Sequence, residues 1–216
     1  MGGLVEGFIF LVAFIIIVII FIYKKSSVKK RRKSLLYIEK FKFPKTIRDK
    51  VKEKYNHLSN TDIDKVEVGL REWFYVCYFA KGKSVSMPSQ VVDAAWHEFI
   101  LFTKFYNDFC LKAFGEFLHH NPAEAMESDR RAQKGIKTAW RISCTRENID
   151  PNKPKKLTIL FGLDSRLKIP GGFKYSLNCD GPRSDGYCAT HIGCSSVSSC
   201  SSCSSDDGGS SCGGGD

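Results

Sequence analysis

Apolar residues follow two patterns along this chain. From position 7 to position 23 they are continuous, and no charged residue interrupts them. From about position 35 to position 163 they recur every three or four residues, the spacing of one buried helix face. The continuous run predicts a membrane-spanning helix. With Leu4 and Val5 it reaches about 30 Å at about 1.5 Å per residue, the thickness of a hydrocarbon core. Its many β-branched residues are poor helix formers in water, but in lipid an unpaired backbone group is costly enough to enforce the helix.

The periodic region predicts several helices. Pro44 opens a short one that runs to Tyr55. Thr61 and Asp64 form a capping pair for a second, which passes through Val66, Leu70, Trp73, Phe74, Cys77 and Tyr78 and stops at Gly82. Pro88 and Ser89 open a central helix whose apolar face runs from Val92 through Trp96, Phe99 and Tyr106 to Cys110, with Gly115 as its stop. A fourth starts after Asn121-Pro122 and continues to about Arg146. Leu157-Thr-Ile-Leu-Phe reads as an extended segment or a helical turn, and Pro170-Gly171-Gly172 as a turn, after which Phe173 and Tyr175 pack back. Short connections between such helices favour an antiparallel bundle. The last stretch is mostly Ser, Gly and Cys, too poor in apolar residues to build a core, and is expected to be disordered.

The expected fold class is therefore mainly α: an N-terminal transmembrane helix, a cytoplasmic helical bundle and a disordered tail. The divisions are an anchor over 1–24, a basic juxtamembrane segment over 25–43, a helical domain over 44–178 and a low-complexity tail over 179–216.

Charge fixes the expected topology. The net charge of +10 suggests nucleic acid at first. Most of it, however, sits in Lys24, Lys25, Lys29, Lys30, Arg31, Arg32 and Lys33, directly after the apolar run. Basic residues in that place are retained on the cytoplasmic side, so the N-terminus is expected outside and the domain in the cytoplasm. The same seven can contact anionic lipid headgroups. No zinc-finger spacing, helix-turn-helix or aromatic RNA-binding strand accompanies them, and nucleic acid is not an expected partner. A cleaved signal peptide would need positive charge before the run and a small-residue cleavage site after it. Here Glu6 precedes and lysine follows.

Two segments carry a resemblance: Met87-Pro-Ser-Gln-Val-Val-Asp-Ala-Ala-Trp-His-Glu-Phe-Ile-Leu-Phe-Thr-Lys-Phe-Tyr and Phe114-Gly-Glu-Phe-Leu-His-His-Asn-Pro. They are similar to a group of bacterial single-pass membrane proteins with a helical Trp-His/His-His domain and a Gly/Ser/Cys tail. The Pro-Ser-x-x-x-Asp-x-x-Trp-His pattern distantly resembles the glycine-rich domain-containing proteins. The resemblance implies membership and no particular reaction. The tail here is shorter and richer in serine than in that group.

Three histidines, His97, His119 and His120, lie in those segments, and imidazole is a common zinc ligand. Asp93 is four residues before His97, on the same helix face, where it can orient the ring as an outer carboxylate. The plainer reading is a hydrogen-bonded pair that packs a loop. Adjacent histidines point apart, so at most one of His119 and His120 joins His97. Cys77, Cys110 and Cys144 read as small buried hydrophobes. Six more cysteines crowd the end, and Cys200 and Cys203 form the one C-x-x-C, a weak metal signal and a pair of reactive thiols. No metalloprotease, hydrolase-elbow, phosphate-loop or dinucleotide motif is present. The expected function is a membrane-tethered binding or scaffold module with an unidentified protein partner rather than an enzyme. The alternative is a metal-dependent or histidine-based enzyme built on Asp93, His97, His119 and His120, with zinc as its cofactor.

Overall fold

The computed structural model of the protein describes residues 2–120, 129–177, 187–189 and 192, and of residues 2–10, 12, 13, 129–131, 187 and 188 the backbone only. The described chain is mainly helical: α1 (Gly2–Lys40), α2 (Lys45–Lys54), α3 (Asn60–Ala80), α4 (Gln90–Leu101), α5 (Thr103–Ala113), α6 (Asp129–Arg146) and α7 (Ile159–Arg166). Two short strands, β1 (Tyr175–Ser176) and β2 (Tyr187–Cys188), pair in parallel with Tyr175 opposite Tyr187.

Helix α3 is central, packed by α1, α4, α6 and α7. Its buried stripe of Ile63, Val66, Leu70, Trp73, Phe74 and Cys77 recurs at helical spacing, which is why this stretch folds as one uninterrupted helix. Gly69 allows the closest approach. A Cβ there would lie 2.8 Å from the side chains of both Val92 on α4 and Leu163 on α7. Around Phe74, the rings of Phe41, Phe43, Phe99 and Phe109 meet at centroid distances of 4.5–6.3 Å, in edge-on and tilted geometries and, for Phe43 with Phe74, a stacked one. The core takes in Ile38, Phe41 and Phe43 from the basic segment after the apolar run, and Ser34 of the same segment is buried.

Several details differ from the sequence reading. The cap of α3 is Ser59 with Asp62, in a reciprocal capping box, and not Thr61 with Asp64. The central helix is two helices. The chain breaks at Phe102 (φ −81°, ψ 58°); Phe99 and Tyr106, on either side of it, are both buried, and Leu101 is exposed. Residues 159–166 form a full helix, capped by Thr158. The pairing of β1 with β2 was not anticipated, and Ala189 and Ile192, in the segment expected to be tail, are buried in the core. The physical reason is local: Ala189 and Ile192 supply apolar surface before the serine run begins.

Among the described residues, no helix is long and apolar enough to cross a membrane. Of the run expected to do so, Leu11 and residues 14–23 are exposed on α1. Alone, residues 14–23 cover about 15 Å of helix, half a hydrocarbon core. The side chains of residues 4–10, 12 and 13 lie outside the described set. So do the expected helix start at Asn121-Pro122, and Cys200 and Cys203.

Candidate functional site

Helix α4 begins at Ser89, whose hydroxyl accepts from the Val92 N–H at 3.3 Å. A second anchor holds the same turn. The Asp164 carboxylate, buried on α7, accepts from the Ser89 hydroxyl at 2.6 Å and from the backbone N–H groups of Gln90, Val91 and Phe173 at 2.7, 3.3 and 2.9 Å. An anion at a helix N-terminus meets donors that the helix leaves unpaired. This fixes the rotation of α4, and with it the direction in which Asp93 and His97 project.

The second half of the site arrives from the segment after α5. The hydroxyl of Tyr106 donates to the Leu118 carbonyl at 2.7 Å and accepts from the Trp96 indole N–H at 3.1 Å. Burial pushes the Tyr106 hydroxyl pKa far up, so it remains a donor at any ordinary pH. The chain is thereby tied to α4 two residues before His120. The imidazole of His120 then lies edge-on to Trp96 at 4.4 Å between centroids, and 4.3 Å from the ring of His97.

Asp93 joins the two histidines. Its Oδ1 lies 3.1 Å from His120 Nε2, and its Oδ2 lies 3.2 Å from His97 Nδ1. His97 Nδ1 also lies 2.9 Å from the Asp93 backbone carbonyl. Since carboxylate and carbonyl oxygens only accept, both ring nitrogens are donors in this arrangement. One ligand atom from each of Asp93, His97 and His120 falls within 4.8 Å of the others. The side chains are graded in exposure: His120 13%, Asp93 33% and His97 51%. The group is held from the inside and open on the outside.

The chemistry of this donor set fits a transition metal ion. Metal–nitrogen and metal–oxygen bonds of about 2.0–2.1 Å in tetrahedral geometry place ligand atoms about 3.3 Å apart. The two separations at Asp93, one from each carboxylate oxygen, are of that order, and the three ligand atoms together lie within 4.8 Å, so a small closing movement would bring them onto one ion.

The expected residues are thus partly gathered. His97 and His120 come together. His119 turns away, exposed, with its ring against Phe117 at 4.9 Å. Asp93 reaches both histidines rather than His97 alone, and stands between them. Sequence reading missed Asp164, Trp96 and Tyr106 as the residues that position it, and spacing alone gives no signal for contacts such as Ser89 with Asp164. Cys77, Cys110 and Cys144 are buried and free. Burial raises all three thiols, Cys144 to about 12, so none is a thiolate at neutral pH. Lys24, Lys25, Lys29, Lys30, Arg31, Arg32 and Lys33 are all exposed along α1.

The family model described as UCP032817-like matches residues 31–196, more than half of the chain, and the chain belongs to that family. The match contains Asp93, His97 and His120. Neither the curated proteins nor the solved structures gave a match.

Proposed function

We propose that this member of the UCP032817-like family is a membrane-tethered module that binds a divalent transition metal ion, zinc first, through Asp93, His97 and His120. The observation that carries the reading is the convergence of three ligand atoms within 4.8 Å, from two segments of chain that are 23 residues apart. Two imidazoles and a carboxylate also suit ferrous iron. The tether is supported by α1, in which the exposed apolar residues and the seven basic ones lie on one continuous helix whose far end is buried in the core. In this reading the N-terminus is outside and the domain cytoplasmic.

A second reading makes the site an enzyme. It is favoured by the half-exposed His97 and by a ligand count of three, which in zinc proteins leaves a fourth position for water or substrate. A zinc ion so held supplies a Lewis acid and a bound water of lowered pKa. The chain's own part is positional: Trp96 and Tyr106 hold His120, and Asp164 holds the turn that presents Asp93.

The deciding measurement is metal content of the full chain, purified in detergent and challenged with zinc or ferrous iron. One equivalent is expected in the wild type and loss in D93A and H120A, with the helical spectrum intact. Absence of metal, or equal metal in both variants, overturns the reading. For the tether, a membrane-impermeant thiol reagent is expected to label Cys200 and Cys203 only after cells are opened.

A further inference from the structure

The tether has a consequence for the far end of α3. Helix α3 runs antiparallel to α1. At one end the Arg71 guanidinium donates to the Phe41 carbonyl at 2.8 Å, and at the other Arg31 lies over the Phe79 ring at 4.8 Å. Helix α5 runs the same way, with Phe105 beside Phe41 and Phe109 beside Tyr37. The C-terminal end of α3 therefore points back toward the apolar part of α1. There the chain turns through Lys81 and Gly82, both with positive φ, and Lys81, Gly82, Lys83 and Ser84 are all exposed. The start of α6 is tied to the same end, because Ser86 Oγ donates to the Ala132 carbonyl at 3.0 Å. Lys134 is exposed two residues later.

The level of this end along α1 can be read from its contacts. Phe79 meets Arg31, so the turn after Ala80 stands near Lys30 or above. Tyr23 to Lys30 is about 10 Å of helix, and a headgroup layer is about 5–8 Å thick in each leaflet. If α1 enters the bilayer at Tyr23, the turn lies at the membrane surface. The segment between Lys81 and Gln90 contains no acidic residue.

We infer that the turn between α3 and α4 rests on the bilayer, and that Lys81 and Lys83 join the basic run of α1 in holding anionic headgroups. The inference rests on the membrane tether proposed above. It gives the domain a defined orientation on the membrane, with a lipid-facing end formed by that turn. Each added cation near an anionic leaflet strengthens association about fivefold, and salt weakens it.

The test uses the full chain in nanodiscs of phosphatidylcholine alone, or of phosphatidylcholine and phosphatidylserine in equal parts, with amide hydrogen exchange read across residues 80–88. Exchange is expected to slow about fivefold or more in the anionic discs, and the difference to vanish in high salt and in K81E/K83E. K83E alone, which leaves the left-handed Lys81 in place, is expected to shift it in the same direction. Equal exchange in both lipids, from a protein that resists alkaline extraction from membranes, overturns the lipid-facing turn and leaves the tether standing. Release by alkali overturns both. Protection by added RNA in neutral discs, with none from phosphatidylserine, assigns this face to nucleic acid and overturns the inference.

Discussion

Two carboxylates meet the first turn of α4, and their surroundings set them apart. Asp164 approaches from α7 and is buried, and four donors of this chain, three of them backbone N–H groups, converge on its two oxygens. Asp93 projects from α4 itself, is one-third exposed, and has two imidazoles as its side-chain partners. Backbone donors cannot be withdrawn without unfolding the turn. Imidazoles can exchange a proton for a metal. The first carboxylate is thus locked into the fold, and the second is the one left free to serve the metal site proposed above.

The comparison breaks most plainly on stability. D164A strands donors buried at the start of α4 and is expected to cost roughly 3–5 kcal/mol in chemical denaturation, given the penalty for unpaired buried groups. D93A leaves one partner, His97, half-exposed and the other, His120, mostly covered but without backbone donors to strand, and is expected to cost about 1 kcal/mol. Similar losses for the two would erase the distinction drawn here.

Metal affinity is expected to reverse that order. By calorimetric titration, D93A, H97A and H120A each weaken zinc binding by about 100-fold or more, since each removes a ligand, while H119A stays within about twofold. Zinc at a hundred times its dissociation constant stabilises the wild type by about 2.7 kcal/mol, visible as a raised melting temperature. An H119A effect equal to that of H120A would put the wrong histidine in the site.

How much of this could be read from sequence depends on the range of the contact. The helices between positions 45 and 113 were legible because their apolar residues repeat at 3.6, and His97 with Asp93 because four residues make one helical face. The break at Phe102 was not legible: no glycine or proline marks it, and Phe99 and Tyr106, seven residues apart, fit one face of an unbroken helix as well. Nor was the choice of His120 over His119. It is set by the Tyr106 hydroxyl on the Leu118 carbonyl, a contact across 12 residues. Asp164 was invisible for the same reason at greater range, 75 residues from Ser89.

That tie suggests a subtler perturbation. Y106F keeps the ring and deletes the bond to Leu118 and the acceptor for Trp96. It is expected to cost about 1–2 kcal/mol in stability, the loss of a buried hydrogen bond with one donor left unpaired. Zinc affinity is expected to fall about tenfold, the scale of removing an outer-shell partner, through looser placement of His120. Loss of stability with unchanged affinity would show that His120 is placed by Trp96 alone.

A third aspartate sharpens the comparison at its smallest scale. Asp62, on the first turn of α3, is satisfied from nearby: Lys65 Nζ donates to it at 2.8 Å, and the Ser59 hydroxyl and backbone N–H at 2.6 and 3.1 Å. The Lys65 bond first, and the Ser59 bonds after it, hold its carboxyl down at about 2. Because the folded-state value lies below the unfolded one, the cap's contribution is fully present above the ordinary carboxyl range and is lost only as pH falls through about 2. S59A is expected to cost about 1 kcal/mol at neutral pH, the usual weight of an N-cap. It is also expected to move the Asp62 carboxyl upward, which a carbon-detected NMR titration reads directly. An unmoved carboxyl would leave Lys65 as the sole cause, and would make Asp62 an ordinary surface ion pair rather than part of a cap. Asp62 and Asp164 then differ from Asp93 in one physical respect that survives their difference in burial: their partners include backbone N–H groups at a helix start, and those of the Asp93 carboxylate are two side chains that a metal can take.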